Sequence, residues 1–98
     1  MTDRRYYVYI LASKRNGTLY VSITHDLQRR VYEHRTSVEP ASFTARYAIH
    51  RLMYFEVFDD PETAIRREKR LKEWHRPWKI ALIENQNPHW LDLYPSLA

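Results

Sequence analysis

Two runs of alternating residues stand near the start of the chain, Tyr6-Tyr7-Val8-Tyr9-Ile10-Leu11 and Leu19-Tyr20-Val21-Ser22-Ile23-Thr24, with the pair Asn16-Gly17 between them. Asn-Gly between two such runs is a strong hairpin signal, because both residues tolerate the positive φ angles of tight turns. The turn also fixes which residues of the two strands lie opposite each other. The sequence therefore predicts a β-hairpin at this point.

The two predicted strands each carry two sets of side chains, because successive residues of a strand point to opposite faces. The economical pairing puts the aliphatic set of each strand toward the helices. It leaves Tyr9, Tyr20 and Ser22 together on a common, wetter surface. Two phenol groups are then expected to face one site.

A helix is predicted directly after the second strand. It begins near Thr24 to Asp26, since both end residues can cap a helix and the aspartate suits the positive end of the helix dipole. Leu27 and Val31, four residues apart, form its buried stripe. Arg30 and His34 share the edge of that stripe, so their side chains are expected to reach back over the hairpin.

Two interpretations of Arg30 remain open at this point. Its guanidinium can offer a fork of donors to a phosphate and stabilise charge that grows in a transition state. Alternatively, its stem lies over the core and its head pairs with a carboxylate such as Glu68.

The remaining elements follow from local signals. Residues 36–49 are polar and show no sustained period, which predicts a loop with a turn of helix around Phe43 to Tyr47. Arg51 to Phe58 is predicted to be a third strand, with residues alternating between two largely apolar faces. Asp59-Asp60-Pro61-Glu62 marks the start of a second long helix, and Pro77 starts another.

These elements predict a single domain over residues 1–98 of the α/β (α+β) class. We expect a small three-stranded, antiparallel-containing sheet flanked by helices, in the order β-β-α-β-α-α. A length of 98 residues suffices for one core and is short of the size at which a second becomes common.

Glu68 has the most informative position on the second long helix. Ala64, Ile65 and Leu71 mark the apolar face of that helix, and a period of 3.6 residues places Glu68 in the middle of them. A carboxylate directed at the core needs a cation, hydrogen bonds or a metal ion. A metal ligand and a buried pair with an arginine are therefore both open.

The composition favours a polyanionic partner. Lys and Arg number 16 against 12 Asp and Glu, for a formal net charge of +4. Charge of this size bears on association rather than on the fold. Most basic side chains are expected to be solvated, but aromatic residues interleaved with them are typical of proteins that stack unpaired bases. The pattern supports nucleic-acid binding without sequence specificity.

Several other classes of protein are disfavoured. The chain has no cysteine, which excludes disulfides and thiolate metal sites, and its five histidines lack close metal-ligand spacing. The sequence has no glycine-rich phosphate loop, no serine elbow and no apolar run of membrane-spanning length. Asp3, Arg4 and Arg5 lead straight into a strand rather than a signal segment. A cytoplasmic location is therefore expected.

The hairpin and the helix after it resemble the motifs of the GIY-YIG nuclease superfamily. Tyr7-Val8-Tyr9 stands in for the first signature tripeptide and Tyr20-Val21-Ser22 for the second. Arg30 comes eight positions after the serine and His34 one helical turn later, which matches where that superfamily has its catalytic arginine and a following histidine or tyrosine.

The resemblance covers nearly the whole chain. It continues through Arg67-Glu68-Lys69-Arg70-Leu71-Lys72-Glu73-Trp74 to Asn87-Pro88-His89-Trp90 and is greatest to the small, stand-alone bacterial members. It implies a metal-dependent endonuclease that hydrolyses phosphodiester bonds in DNA or RNA, with DNA favoured. A homodimer is a possible assembly.

The resemblance also implies roles for individual residues. Tyr9, Tyr20, Arg30 and His34 would be catalytic, and Glu68 would bind Mg²⁺ or Mn²⁺, which prefer oxygen ligands. Further residues would bind the nucleic acid: Ser22, Arg29, Arg35, Arg67, Lys72 and Asn87. For Asn87, the alternative is a residue that ends a helix before proline.

One residue departs from the family pattern. Ser22 stands where the second tripeptide normally ends in glycine, and its side chain lies on the face shared with Tyr20. A glycine within a strand often marks a close approach of ligand or backbone. An alternative function is therefore a nucleic-acid-binding module that keeps the fold but has lost cleavage. A third is an interaction domain that uses its exposed aromatic residues.

Overall fold

The computed structural model describes residues 4–36 and 42–97 of the chain. A three-stranded antiparallel sheet lies at the centre, with the strands β1 (Tyr6–Ala12), β2 (Leu19–Thr24) and β3 (Arg51–Phe58) in the spatial order β2-β1-β3. The helices are α1 (Leu27–Thr36), α2 (Phe43–Arg46), α3 (Pro61–Glu73) and α4 (Arg76–Gln86), and a 3-10 helix, Tyr94–Leu97, follows them. The predicted fold class is confirmed. Helix α2 is the turn of helix predicted around Phe43 to Tyr47. Residues 37–41 of the predicted loop lie outside the described residues.

The predicted hairpin is present, but its connection is longer than a tight turn. Residues 13–18 join the strands, and within them the Gly17 N–H donates to the Lys14 carbonyl over 2.9 Å. Asn16 alone of the Asn-Gly pair has a positive φ, of 58°. Gly17 is needed for space instead, since a Cβ on it would lie 3.0 Å from the backbone nitrogen of Lys14 and closer still to the Ser13 side chain.

The expectation of a wetter sheet surface is wrong for Tyr9, which a helix covers, whereas Tyr20 and Ser22 are partly exposed. Ser22 lies opposite Tyr9 as the alternation requires, and Tyr20 lies opposite Leu11. We call this side the tyrosine face. Tyr9 is fully buried there, because α1 follows β2 directly and packs Leu27 and Val31 onto that face. Burial of such a side chain contributes on the order of 2 kcal/mol to stability, which favours a covered Tyr9 over a solvent-exposed one.

The opposite side, which we call the aliphatic face, packs against α3 and α4. Val8, Ile10 and Val21 form a core cluster there with the buried side chains of Leu71 and Ile83. The contact follows from the alternation of the hairpin, which collects branched aliphatic side chains on one surface.

Strand β3 departs from the predicted alternation. Ile10 lies opposite Tyr54 but Leu11 lies opposite Leu52, so Met53 is an extra residue of β3 at a bulge. Leu52 therefore packs with Phe55 on the tyrosine face, while Met53 and Tyr54 both lie in the cluster of the aliphatic face. A bulge adds one residue to one strand and so reverses the faces beyond it.

Helix α3 begins as the sequence predicts. Asp60 caps it by accepting the Thr63 N–H over 2.8 Å, and Pro61 is its first residue. Glu68 is buried, as its position on the helix predicts. Ile65, expected on the same apolar face, is 44% exposed instead. The buried face of α3 is formed by Ala64, Glu68 and Leu71, and Ile65 lies at its edge.

Candidate active site

The candidate site lies between β1 and α1, where a tyrosine contacts a histidine. The Tyr9 hydroxyl is 3.2 Å from Nε2 of His34, and Nδ1 of His34 is 2.8 Å from Oγ1 of Thr44. Strand β1 supplies the tyrosine, the last turn of α1 supplies the histidine, and α2 supplies the threonine. All three residues are buried. The sheet and two helices thus hold a chain of polar groups out of water.

Burial keeps the phenol of Tyr9 protonated. It raises the pKa of Tyr9 to about 12, although a side-chain hydrogen bond from Ser22 and the positive charge of Arg30 act in the opposite direction. Tyr9 is therefore a neutral phenol near pH 7, with a proton to donate and an oxygen that can accept one.

His34 is neutral for a related reason. Burial, and then the neighbouring charge of Arg30, lower the pKa of His34 to about 4. A neutral imidazole has one donor and one acceptor nitrogen. If Nδ1 donates to Thr44, then Nε2 accepts the hydroxyl proton of Tyr9. Thr44 is in turn 3.3 Å from the Ser42 hydroxyl, so the polar chain continues to the cap of α2.

Arg30 lies at the exposed side of this group. Its side chain is 46% exposed, and Nη1 donates to Oε1 of Glu33 over 2.9 Å. The partner is thus Glu33 on the same helix, not Glu68 as one interpretation of the sequence proposed. Asp26 holds the start of α1 by accepting the Arg29 N–H over 3.2 Å. The guanidinium keeps donors that face both Tyr9 and solvent.

Aromatic rings border the site on the side of α2. Tyr20 contacts the ring of His34 edge-on, with centroids 5.5 Å apart, and stacks on Phe43 at 6.3 Å. Phe43 contacts Tyr47 at 4.8 Å, and these two side chains are about half exposed. Tyr20 is thus next to Tyr9 and His34, as the alternation predicts.

Glu68 belongs to different surroundings. It lies on α3 at the aliphatic face, and its Oε2 pairs with Nζ of Lys72 over 3.1 Å. Within residues 4–36 and 42–97, no hydrogen bond or ion pair joins it to Tyr9, Arg30 or His34, and no three acidic, histidine or cysteine side chains cluster as a metal site would require. Glu68 itself fits a hard cation, because a buried carboxylate with one oxygen free of ion pairs can act as a single ligand beside waters.

Known proteins are similar to this chain in sequence and in fold. The family model for the GIY-YIG catalytic domain matches residues 5–81. The chain belongs to the GIY-YIG family. It is 38% identical to a UPF0213 protein of Halobacterium salinarum, over 80% of this chain and 99% of that one. It is 32% identical to a UPF0213 protein of Staphylococcus saprophyticus, over 81% and 94% of the two chains.

A solved structure agrees with this assignment. The solution NMR structure of a UPF0213 protein from Bacillus halodurans is similar with a TM-score of 0.56 and 30% identity, over 90% of this chain and 92% of that one. Among the described residues of this GIY-YIG protein, no helix has the length and apolar character that crossing a membrane requires.

Two of the arginines predicted to bind nucleic acid have partners within the fold. Both Nε and Nη2 of Arg67 donate to the carboxylate of Glu56, at 2.9 and 2.8 Å, and its guanidinium lies 5.2 Å from the ring centre of Trp74. Arg35 pairs with Asp92 and lies over the ring of Tyr94. These contacts hold helices to the sheet and to the tail.

Asn87 occupies the helix-ending position that was its alternative role. Its Nδ2 donates to the carbonyls of Met53 and Leu91 at 3.1 and 2.8 Å, and its Oδ1 accepts the Leu91 N–H. The amide therefore ties α4 to β3 and to the tail. By contrast, Arg29 is 73% exposed and Lys72 53%, although each has an acidic partner, so both can reach a ligand in solvent.

Sequence reasoning missed the role of Thr44. The signal that was available is Ser42, a capping residue that accepts the Ala45 N–H and starts α2. A capped turn so close to the predicted catalytic histidine indicates a fixed segment rather than a free loop. Nothing in the local sequence indicates that the threonine of that turn meets the imidazole.

Proposed function

We propose that this chain is a divalent-metal-dependent endonuclease that hydrolyses phosphodiester bonds, in DNA rather than RNA. The observation that carries the proposal is the contact between the Tyr9 hydroxyl and His34 Nε2 beside Arg30. Phosphodiester hydrolysis needs a proton acceptor and a phosphate-binding cation in one place. Membership of the nuclease family gives this arrangement its chemical context.

Tyr9 would accept a proton from the attacking water while passing its own proton to His34. With the pKa of Tyr9 at about 12, forming a free phenolate at pH 7 would cost about 7 kcal/mol, at about 1.4 kcal/mol per pKa unit. A coupled transfer reduces that cost to about 4 kcal/mol, because Nε2 of neutral His34, with a pKa of about 4, takes the proton instead of bulk water. The hydroxide then attacks phosphorus and the bond from phosphorus to the leaving oxygen breaks. The proton passes back from His34 through Tyr9 to that oxygen, which restores both residues.

Arg30 would bind the scissile phosphate. Its guanidinium is charged at every physiological pH, it is pinned on one side by Glu33, and its remaining donors are open to solvent. Donors that are already oriented stabilise negative charge as it grows on the phosphate oxygens. Tyr20, whose ring contacts His34 edge-on, would support the imidazole from the edge of the sheet.

Glu68 would hold the divalent ion, Mg²⁺ or Mn²⁺, through its carboxylate. Glu68 lies at the aliphatic face and has no hydrogen bond or ion pair with Tyr9, Arg30 or His34 among the described residues. When bound, the ion would therefore supply positive charge to the leaving oxygen only of a substrate that passes around the edge strand β2 from one face to the other. Displacement of Lys72 from Glu68 would accompany loading, since one carboxylate oxygen is paired with that ammonium group.

Ser22 supports a second candidate, a nucleic-acid-binding module without cleavage. Ser22 lies directly opposite Tyr9 on the neighbouring strand, and its side chain acts to lower the pKa of the phenol, an effect that the family glycine cannot have. The added side chain would compete with the attacking water for the space beside the phenol. A cytoplasmic location and a homodimer stay predictions under both functions.

The test is cleavage of branched and single-stranded DNA with Mg²⁺ or Mn²⁺ by the parent, Tyr9→Phe and Tyr7→Phe. Tyr7 is the matched control, because it lies two residues away on the same strand and contacts Phe55 instead. We expect Tyr9→Phe to lose on the order of 10²-fold or more in rate, and Tyr7→Phe to keep the parent rate. Equal cleavage by all three proteins would point to a contaminating nuclease.

One further variant separates the two candidate functions. A parent that binds DNA without cutting it, together with a Ser22→Gly variant that cuts, would establish the binding module. Cleavage by the parent that Glu68→Ala abolishes would favour the endonuclease.

A further inference from the structure

A second cationic site lies at the far end of the hairpin from Tyr9. Arg76 begins α4, and its Nη2 donates to the carbonyls of Asn16 and Gly17 at 2.6 and 2.7 Å. A guanidinium has five N–H donors. The hairpin loop therefore fixes its position with main-chain oxygens and leaves other donors free, without a carboxylate to neutralise its charge.

Lys79 stands one helical turn after Arg76 on the same side. Burial, and then the charge of Arg76, lower the pKa of Lys79, so the two cations are close enough to repel each other. Five basic residues pair with a carboxylate within the described part of the chain, and neither Arg76 nor Lys79 is among them. An anion between the two would relieve this repulsion.

The two cations line a surface cavity of about 500 Å³ together with residues 16–19. Nζ of Lys79 also lies 3.4 Å from the carbonyl of Lys72, the residue whose ammonium pairs with Glu68. Lys79 thus connects the cavity to the last turns of α3, the helix that carries Glu68. The cavity also adjoins Leu19, the first residue of the strand that carries Tyr20 and Ser22.

Strand β2 makes a path between this cavity and the tyrosine face. It is an edge strand, so a nucleic-acid backbone can pass around its outer side. Leu19 and Ser22 are three residues apart, or about 10 Å at roughly 3.3 Å per residue. A single strand that keeps its bases stacked advances about 3.4 Å per nucleotide, as one strand of a duplex does, so the span corresponds to about three nucleotides.

We propose that Arg76 and Lys79 form a second phosphate-binding subsite, which holds the nucleic-acid backbone about three nucleotides from the scissile bond. The ligand is a phosphodiester of the same substrate that the tyrosine face would cut, and in this respect the inference rests on the proposed function. The subsite would set the minimum length of substrate and add affinity without reading sequence, since phosphate contacts carry no base information.

The test compares binding and cleavage for two lengths of single-stranded DNA. One oligonucleotide extends well past the subsite, and the other ends about two nucleotides from the scissile bond, short of the span given by the strand. The proteins are the parent, Lys79→Gln, the double variant Arg76→Gln/Lys79→Gln, and the control Arg66→Gln/Arg70→Gln. The control removes the same charge from α3 at residues that line a different cavity.

We expect the double variant to bind the long DNA at least tenfold more weakly than the parent and the short DNA equally well. The slope of log K against log salt should fall by about 0.7 for each phosphate of a single strand that the variant no longer neutralises, hence by about 1.4. Binding is measured by fluorescence anisotropy without metal, and KM with metal. Lys79→Gln leaves the Arg76 clamp intact, so it should show about half of the change in slope at an unchanged melting temperature.

The outcomes separate this inference from the proposed function. An equal loss for the Arg66/Arg70 control, or an equal loss on short and long DNA, would show general charge attraction and overturn the subsite. If the parent neither binds nor cuts the long DNA, the proposed function is wrong. If the parent cuts it and every variant behaves as the parent does on long DNA, only the subsite is wrong.

Discussion

The two faces of the sheet each carry a network of arginine, tyrosine and a third polar residue. The networks differ in how many of their hydrogen-bonding groups have partners within the protein. On the aliphatic face, Arg67 gives two hydrogen bonds to Glu56, which also accepts the Tyr54 hydroxyl. On the tyrosine face, Arg30 has a single bond to Glu33 and lies beside the neutral Tyr9 and His34 groups. The first network is satisfied internally, whereas in the second the Arg30 guanidinium is 46% exposed beside the buried Tyr9 and His34.

This difference teaches how to separate structure from function among similar residues. A charged group that has both hydrogen-bonding and ionic partners stabilises the fold and has little left to offer a substrate. A charged group that lies beside neutral, buried titratable side chains is placed where a reaction can use it. The contrast between Arg67 and Arg30 gives the largest predicted effects.

Arg30→Gln and Arg67→Gln should have opposite consequences. Arg30→Gln is expected to lower kcat/KM by about 10²–10³-fold with little change in unfolding free energy, because it removes the phosphate-binding cation from an exposed position. Arg67→Gln is expected to keep activity but lose about 1–3 kcal/mol of stability, because it leaves the Glu56 carboxylate half-buried without its cation. The measurements are steady-state cleavage and urea unfolding.

A matched variant controls for loss of positive charge alone. Arg29 is next to Arg30, also pairs with Glu33, and is more exposed. Arg29→Gln should reduce binding slightly through the loss of general attraction. If Arg67→Gln abolishes cleavage in a folded protein while Arg30→Gln does not, the distinction between closed and open networks is wrong.

The same networks show how far the sequence alone reaches. Local rules predicted the hairpin, the bounds of β3 and the cap of α3, because turn residues, alternation and capping act over a few positions. They also placed Tyr9, Tyr20 and Ser22 on one face. They did not say that α1 would cover that face, since alternation tells which residues are together and not what packs on them.

Partners distant in sequence were the main gap. Arg67 meets Glu56 eleven residues earlier, and Arg35 meets Asp92 fifty-seven residues later, so no helical or strand period relates them. The bulge in β3 was likewise not visible, because it arises from the pairing of two strands rather than from the residues of either. The predicted nucleic-acid contacts of Arg35, Arg67 and Asn87 came from motif position alone, which carries no information on competing partners.

The depressed pKa of His34 predicts an acid sensitivity that belongs to the tyrosine face. The folded-state pKa is about 4, below the ordinary value of 6.5. In this window the unfolded chain binds a proton that the folded chain does not, so stability is full above pH 6.5 and falls as pH decreases toward 4. At about 1.4 kcal/mol per unit, the loss between pH 6.5 and about pH 5 is about 2 kcal/mol.

Urea unfolding of the parent and of His34→Gln at several pH values measures this effect. The groups near His34 are Arg30, Glu33 and His50. Glu56 and Asp60 have lowered pKa values, so their contributions are lost at more acidic pH than the tested window. The slope should be present in the parent and reduced in His34→Gln. An equal slope in both proteins would assign the titration to another group.

The smallest expected effects come from the helix caps, one for each face. Asp60→Ala removes two hydrogen bonds to Thr63 at the start of α3, and should cost about 1 kcal/mol of stability without changing the rate of cleavage. Asp26→Ala removes one bond at the start of α1 and should cost somewhat less. It should nevertheless slow cleavage severalfold, because the first turn of α1 positions Arg30, whose N–H bonds to the Asp26 carbonyl. Calorimetry and steady-state kinetics on both variants would show whether the rate of cleavage depends on the first turn of α1 and not on that of α3. An equal loss of rate in both variants would contradict this separation of the two faces.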